Sequence, residues 1–433
     1  IRIAQQGAGG MYCGACARDV TLITGLISRG HDVQVVPLYT PLRLDAGVQL
    51  PITPIFYGGI NVFLQQLSPI FRYIPAFMDR WLDNPALLRW ASKSAVKTRP
   101  QELGAMTVSV LSGRDGRQRK ELHRLMRYLE SEVRPDIINI TNSLLSGIAP
   151  EPRRSASVPI VCTLQGEDSF VEAIPEPQLS QALGLMRKHA SAIDLYLSPG
   201  EGYAAKMAEF LDIPKEKIRI TRPGIDVNAF KPTAERHRNP FVIGYLSAIT
   251  PVKGLDILVE AFSILVNDQG RDARLRVAGR ILNEEYWNSI TKTIADKGLE
   301  ARFEHIGEPD FTGKIEFLKR CGVFSVPSLI GESRGMAVME AMASGVPVVV
   351  PDTGVFPELL SLTNGGLLFK SGDAESLAGA IAKIMDDPDA ADTTGRSAAE
   401  GVAKHYSAEK MAERVLEEYT KLLSPPIPAF ART

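Results

Sequence analysis

The segment that decides the fold covers residues 322–360 and reads GVFSVPSLIGESRGMAVMEAMASGVPVVVPDTGVFPELL. The apolar run at 323–326, closed by a proline, is typical of a short buried strand. Strong helix formers follow over 336–343. Gly345 is suited to end that helix at a positive φ, and the run at 347–350 is typical of the next buried strand. This pattern predicts a strand–loop–helix–strand unit of a parallel sheet, with ligand loops at the carboxyl ends of its strands.

The predicted loop and helix carry groups that suit an anion and a sugar. The first amides of the helix, near Gly335 and Met336, lie at its positive end and favour an anion such as a diphosphate. Glu332 precedes the helix and Glu340 lies on it. Two carboxylates beside a phosphate site make sense as acceptors for hydroxyls, one set on a transferred sugar and one on a nucleotide ribose. The alternative is that Glu332 is a first-turn acid and Glu340 a solvated helix residue.

This string, with Gly354 and Glu358 after it, resembles the signature of the retaining glycosyltransferases of family four. That signature has two glutamates with seven residues between them, followed by Ala-Met-Ala-x-Gly-x-Pro-Val. The resemblance implies an α/β protein of the GT-B fold, which has two Rossmann-like domains with a donor cleft between them. It implies a hexosyltransferase-type, retaining and metal-independent enzyme. No cofactor is expected, because a nucleotide-diphosphate sugar is the co-substrate.

Composition sets the broad class of the protein. The chain has 433 residues, enough for two domains with full cores, and its 45% hydrophobic and 23% charged content is ordinary for a globular protein. A net charge of −1 gives no indication of a nucleic-acid partner. No secretory signal is predicted, because the chain starts with a strand-like Ile1-Arg2-Ile3. With four cysteines in so long a chain, we expect a reducing, cytoplasmic location.

Cys13 and Cys16 form a C-x-x-C pair at a predicted helix start. Such a pair is either redox-active or half of a metal site, or it packs tightly under the neighbouring glycine loop. A zinc site needs two more ligands, and Cys162 and Cys321 have no partner nearby in the sequence. We therefore expect packing and no metal, with a C-x-x-C oxidoreductase as a further hypothesis.

The first domain is predicted to span 1–232 and, by the resemblance, to bind the acceptor. Gly9 and Gly10 fit the family's Gly-Gly loop, which faces the donor's phosphates. An irregular, aromatic segment follows over 41–103. This segment either binds a lipid-linked or aryl acceptor, makes a peripheral membrane contact, or packs against its own domain. The acceptor and the oligomeric state stay open.

Gln165 stands where family members usually carry a histidine close to the transferred sugar. Glutamine can hydrogen-bond a hydroxyl but cannot titrate, so an acid or base role is lost at this position. A polar, proline-flanked linker at 231–240 then precedes the nucleotide-sugar-binding domain, predicted over 240–405. The terminal helix, 406–423, is expected to cross back onto the first domain.

Residues 247–254 resemble the family's Gly-Arg-Leu-x-x-x-Lys-Gly loop, whose two cations hold the diphosphate. Lys253 is present, but Ala248 replaces the arginine. A charge-assisted hydrogen bond contributes roughly 1.5–3 kcal/mol, so the replacement matters. Arg334 either supplies the missing cation or is a surface charge. Glu308 falls in the loop where family members hold the base.

We therefore predict transfer of a sugar from a nucleotide-diphosphate sugar to an unidentified acceptor. The predicted catalytic residues are Glu332, Gln165 and Lys253, and the predicted donor-binding residues are Gly9, Gly10, Lys253, Arg334, Gly335, Met336, Glu340 and Glu308. The alternative is a nucleotide-sugar binding protein with weak or no transferase activity, consistent with Ala248 and Gln165.

Overall fold

The computed structural model describes residues 1–8, 14–38, 56, 65–66, 100–151, 158–232 and 240–424. Gly9, Gly10, Cys13 and almost all of the aromatic segment at 41–103 lie outside these residues. The backbone of Cys16 is described, but its side chain is not. The roles assigned to this glycine loop, cysteine pair and aromatic segment stay predictions.

The chain divides into two compact units. The first comprises residues 1–221 together with the chain from Met411, and the second runs from Arg222 to Lys410.

The first unit is built on a six-stranded parallel sheet in the order β2-β1-β3-β4-β5-β6. Its strands are β1 (Arg2–Ala8), β2 (Asp32–Leu38), β3 (Ile137–Ile140), β4 (Ile160–Thr163), β5 (Leu195–Ser198) and β6 (Ile218–Ile220). The short central strands are buried on both faces, as expected for a parallel sheet covered by helices. The strand order reverses between β1 and β3, so the loops after these two strands diverge at one point of the sheet edge.

Helices on the two faces of this sheet bury two apolar clusters. They are α1 (Gly14–Ile27), α2 (Pro100–Leu111), α3 (Arg119–Tyr128), α4 (Asp168–Glu172), α5 (Gln178–His189), α6 (Glu201–Leu211) and α14 (Ala408–Leu423). Helix α1 covers the sheet with Leu22, Ile23 and Leu26, which recur at helical spacing and are fully buried.

The second unit has its own six-stranded parallel sheet in the order β12-β11-β10-β7-β8-β9. Its strands are β7 (Phe241–Leu246), β8 (Ala273–Ala278), β9 (Phe303–His305), β10 (Val323–Phe324), β11 (Val348–Pro351) and β12 (Gly366–Phe369). The chain winds outward from β7 through β8 to β9, returns to β10 beside β7, and winds outward again in the opposite direction. This is the doubly wound order of a Rossmann-like domain.

A single apolar cluster surrounds this second sheet. The helices that pack on it are α7 (Leu255–Ser263), α8 (Glu284–Asp296), α9 (Phe311–Lys319), α10 (Met336–Ala343), α11 (Phe356–Thr363), α12 (Ala374–Asp386) and α13 (Pro388–His405). The segment that decided the fold forms β10, α10 and β11, so its predicted strand–loop–helix–strand order is confirmed.

The boundary between the units differs from the predicted one at 232. Ile225 and Phe230 are buried in the apolar cluster of the second unit. The backbone amide of Ile225 donates to the carbonyl of Tyr406 at 2.9 Å, and the amide of Ala408 donates to the carbonyl of Ile225 at 2.9 Å. These contacts fix 222–232 to the second unit, so the boundary lies before Arg222 and not at the predicted linker, 231–240.

None of the helices in the described parts of the chain is both long enough and apolar enough to cross a bilayer.

Candidate functional site

The topological switch point of the second unit lies between β7 and β10. Ligands of doubly wound sheets bind outside the carboxyl ends of the strands at such a point. The loop after β7 and the loop after β10 are joined there: the amide of Leu329 donates to the carbonyl of Val252 at 3.0 Å, and the Ser328 hydroxyl donates to the same carbonyl at 3.3 Å. The two loops therefore form one rim, which carries Lys253, Arg334 and Gly335 of the predicted donor-binding residues.

Lys253 and Glu332 meet on this rim as an ion pair. Lys253 ends a short 3₁₀ turn, Pro251–Lys253, and Glu332 lies in the loop after β10. Both side chains are about a fifth exposed, at 22% and 21%. The structure thus brings together two of the predicted catalytic residues. Their direct pairing was not predicted, because they were assigned to different parts of the donor.

The loop after β10 leads directly into α10. Gly335 occupies the N-cap of this helix with φ 65°, a left-handed conformation that a side chain disfavours. The amide of Met339 makes the first helical bond, to the carbonyl of Gly335, at 3.0 Å. The amides that precede it, including that of Met336, lie at the positive end of the helix. Arg334 is half-buried immediately before Gly335.

The position of Glu332 is held by its own backbone. Its carbonyl accepts a 2.8 Å hydrogen bond from the amide of Val355. Gly354 packs against it so closely that a Cβ there would lie 2.5 Å from the Glu332 nitrogen and 2.6 Å from its oxygen. Gly354 also has φ 64°. This explains why a glycine follows the signature at that spacing: it lets two loops meet at the site.

Glu340 is not a solvated helix residue. Its side chain lies inward on α10, and Oε1 accepts a 2.6 Å hydrogen bond from Nζ of Lys314, which lies on α9. Glu340 is 8% exposed and Lys314 is 5% exposed. Two other residues of interest lie in loops of the same unit. Ala248 is half-buried in the loop after β7, and Glu308 is exposed in the loop after β9.

Gln165 lies in the first unit, at the end of β4, and is 6% exposed. Its side-chain amide nitrogen donates to the carbonyl of Thr141 at 2.8 Å and lies 3.2 and 3.3 Å from the two carboxylate oxygens of Asp19. These contacts fix the orientation of the amide, because the nitrogen is the donor. A glutamine side chain does not titrate, so Gln165 cannot act as an acid or a base here.

Asp19 is the buried acid at the centre of this network. Burial raises the pKa of its carboxyl above the ordinary value, although the charge of Arg18 and hydrogen bonds from Thr141, Arg18 and Gln165 oppose that shift. Arg18 Nη1 lies 3.0 Å from the Asp19 carboxylate. The carboxyl ends of β1, β3 and β4 therefore hold a connected polar cluster at the switch point of the first sheet.

Lys314 and Asp19 were missed by the sequence reasoning, because each meets its partner only through the fold. A lysine in the middle of an amphipathic helix is typical of a solvated face, and nothing in the spacing of Lys314 and Glu340 indicates a contact. The described residues contain no cluster of three or more histidine, cysteine or acidic side chains that could hold a metal ion.

Two doubly wound parallel domains of this kind define the GT-B fold. Among solved structures, this chain is similar to Anabaena Alr3699/HepE in complex with UDP, with a TM-score of 0.69 and 17% identity over 97% of this chain and 100% of that one. It is also similar to sucrose-phosphate synthase from Thermosynechococcus elongatus, with a TM-score of 0.68 and 18% identity over 97% and 98% of the two chains. The predicted fold class is confirmed.

The family follows from the sequence of the second unit. Residues 227–401 match the family model described as glycosyl transferases group 1. A D-inositol 3-phosphate glycosyltransferase of Kribbella flavida is 24% identical over 420 residues, which cover 88% of this chain and 96% of that protein. A putative colanic acid biosynthesis glycosyltransferase, WcaL of Escherichia coli, is 31% identical over 199 residues, which cover 44% of this chain and 47% of that protein. The predicted resemblance to glycosyltransferases is thus confirmed.

Proposed function

We propose that this glycosyltransferase transfers a sugar from a nucleotide-diphosphate sugar to an acceptor with retention of the anomeric configuration. The observation that carries the proposal is the rim at the switch point of the second unit. There Lys253, Glu332 and the amino end of α10 come together, so a cation, a carboxylate and the first amides of a helix meet at one edge. This combination suits a substrate that joins a diphosphate to a sugar.

The diphosphate is assigned to the amino end of α10 and to Lys253. The amides from Arg334 to Met336 offer hydrogen bonds to phosphate oxygens, and the helix favours an anion at this end. Lys253 Nζ neutralises the charge that develops on the departing diphosphate, which is the main electrostatic task of the reaction. These groups make a bound metal unnecessary in the proposed mechanism.

The two glutamates are assigned to the two sugars of the donor. Glu332 accepts hydrogen bonds from hydroxyls of the transferred sugar, and Glu340 accepts them from the nucleotide ribose. When a donor binds, Lys253 exchanges its contact with Glu332 for the diphosphate, and the carboxylate of Glu332 becomes available to the sugar. Lys253 and Glu332 therefore neutralise each other's charge until the donor binds and takes the place of each partner.

The reaction proposed here needs no dedicated base. The bond between the anomeric carbon and the leaving phosphate oxygen breaks, and the acceptor oxygen forms a new bond on the same face. The acceptor's proton passes to the leaving phosphate oxygen. Gln165 lacks a titratable group, which agrees with this scheme. Its contact with the donor, like those of Gly9, Gly10 and Glu308, remains part of the proposal.

A thermal-shift screen followed by product analysis tests the proposal. UDP is the first nucleotide to test, because the structurally similar Anabaena protein is described in complex with UDP and with UDP-glucose. A ligand at a hundred times its dissociation constant adds about 2.7 kcal/mol to stability. We expect a shift with UDP, GDP or ADP and their hexose conjugates, turnover of the conjugate, and an unchanged anomeric configuration by NMR. Inversion at the anomeric carbon would contradict the retaining mechanism.

The second candidate is a nucleotide-sugar binding protein with weak or no transfer. Two observations favour it: Ala248 replaces a phosphate-binding arginine of the family, and Gln165 replaces a histidine. Measuring donor hydrolysis beside donor binding separates the candidates. Binding without any turnover of the donor, on a panel of acceptors, supports the second.

A further inference from the structure

We infer that Lys314 is a positioning residue for the nucleotide ribose, because it contacts and orients the Glu340 carboxylate. This inference rests on the proposed function, in which Glu340 accepts the ribose hydroxyls. Lys314 itself is not assigned to the donor. It acts through Glu340.

The geometry joins two helices through one buried contact. Lys314 lies near the middle of α9 and Glu340 near the middle of α10, and Nζ and Oε1 are 2.6 Å apart. The two side chains are only 6% and 11% exposed. A charge-assisted contact of this length holds Oε1 of the carboxylate beside the ammonium group.

The lysine is itself held by two aromatic rings. Nζ lies 5.2 Å from the ring centroid of Phe230 and 5.3 Å from that of Phe311. The two rings contact each other edge to face, with centroids 5.7 Å apart. Both rings lie within the distance at which a ring face attracts a cation. The two rings therefore restrain the ammonium group in addition to its contact with the carboxylate.

Stability alone does not account for this arrangement. Two charges must leave water to form the pair, and a well-packed apolar pair of similar volume is often as stable or more stable. In the same unit, Lys297 and Glu260 form an exposed pair, at 30% and 49%, which shows what an ordinary surface contact looks like. The Lys314–Glu340 pair is instead buried. Its glutamate lies about one turn from the amino end of α10, the end that we assign to the diphosphate.

The carboxylate is of a type that suits a ribose. A carboxylate accepts hydrogen bonds on both of its oxygens, and Lys314 contacts Oε1. A ribose has two neighbouring hydroxyl donors, which suit the two oxygens of one carboxylate.

The discriminating experiment compares ribose with 2′-deoxyribose. Dissociation constants of UDP, GDP and ADP, and of their 2′-deoxy forms, are measured by calorimetry on the full chain. For whichever base binds, we expect the natural protein to prefer the ribose form by about tenfold or more, the loss of one hydrogen bond to a charged group. In Lys314→Met the ratio should fall toward one, and in Lys314→Arg, which keeps the cation, most of it should remain.

Two further variants separate positioning from folding. Lys314→Met with Glu340→Gln removes both charges, so this double variant should melt near the natural protein and still show a ratio near one. Lys297→Met is the control and should leave the ratio unchanged. If Lys314→Met weakens both nucleotides equally and keeps the ratio, the role is structural and the inference is wrong. If the natural protein binds ribose and deoxyribose forms equally, the ribose assignment of Glu340 fails first, and the role of Lys314 fails with it.

Discussion

At the scale of single residues, the pair of Lys253 and Glu332 gives a specific expectation. Glu332→Gln should reduce transfer by at least about tenfold, because one hydrogen bond to a charged group contributes about 1.5–3 kcal/mol. The affinity for bare UDP should be kept or should rise, since the substitution releases Lys253 from its carboxylate partner. Calorimetry with UDP and with UDP-glucose, beside a transfer assay, measures both effects.

The matched control for that substitution is Glu260→Gln, which breaks an exposed lysine–glutamate pair of the same unit. It should change neither affinity nor rate. An equal loss of UDP binding and turnover in Glu332→Gln would show that Glu332 does not act on the sugar.

His189 gives a residue-scale prediction about acid stability. It is buried, its Nδ1 lies 3.3 Å from the Ser146 hydroxyl, and burial lowers its pKa from 6.5 to about 4, with the charge of Lys188 acting in the same direction. Between about pH 6.5 and 4 the unfolded chain binds a proton that the folded protein does not. Stability is therefore lost as the pH falls through this window.

In His189→Asn, the free energy of unfolding should depend less steeply on pH over that window. Denaturant titrations at intervals of half a pH unit measure the slope, so a uniform loss of stability in the variant does not obscure it. The control is His123→Asn, an exposed histidine of the same unit. An unchanged slope in His189→Asn would mean that the imidazole is protonated in the folded protein.

At the scale of elements, the loop that carries Glu332 depends on Gly354. Gly354→Ala should destabilise the protein by more than about 1–2 kcal/mol, the strain of a left-handed residue, because the new Cβ also meets the Glu332 backbone. It should also remove the extra affinity of UDP-glucose over UDP, since the Glu332 loop must move. Gly372→Ala is the control: its φ is 78°, but the nearest atom to a new Cβ is 3.8 Å away. Equal effects of the two substitutions would show that crowding at Glu332 is unimportant.

The loop after β7 allows a test of the missing arginine. Ala248→Arg should tighten UDP binding by up to about 1.5–3 kcal/mol if this loop holds the diphosphate, and added salt should reduce the gain. If Arg334 already supplies that cation, Arg334→Ala should weaken UDP binding and Ala248→Arg should restore it. Calorimetry on the three variants distinguishes these cases. No change in any of them would place the diphosphate elsewhere.

Sequence patterns predicted the elements best where burial and periodicity agree. The strands at 323–326 and 347–350 and the helix between them follow from apolar runs, a left-handed glycine and strong helix formers, and all three are present. Helix α13, Pro388–His405, was not predicted. Its buried face consists of small residues such as Gly395, Ala398 and Gly401, and a Cβ on Gly401 would lie 2.6 Å from Thr363. Close packing by small side chains leaves little apolar periodicity to detect.

The site was predictable to the extent that it lies on one segment of sequence. Glu332, Gly335 and Glu340 follow each other on a loop and its helix, so a local pattern was sufficient to find them. The partners of these residues come from other parts of the chain. Lys314 reaches Glu340 from α9, and Asp19 reaches Gln165 from α1, because the parallel sheets place the ends of distant strands side by side.

At the scale of the whole molecule, helix α14 belongs to the core of the first unit, although the chain immediately before it, from Arg222, forms the second unit. Met411, Ala412, Val415 and Tyr419 are fully buried there, in a cluster with Ile3, Leu22 and Val161. The Tyr419 hydroxyl accepts a 2.8 Å hydrogen bond from the side-chain amide of Asn139 on β3. The core of the first unit is therefore completed only by α14, which follows the second unit in the sequence.

Tyr419→Ala should accordingly destabilise the first unit by about 3–5 kcal/mol, the usual effect of truncating a buried aromatic side chain. Tyr419→Phe should lose only the hydrogen bond, about 0.5–1.5 kcal/mol, and Lys421→Ala, which changes a side chain 59% exposed on the same helix, should have almost no effect. Amide hydrogen exchange is the measurement, because it reports on each unit separately. Protection should fall in β1, β3 and α1 and stay unchanged in β7, β10 and α10. Loss of protection in those elements of the second unit would show instead that the two units unfold together.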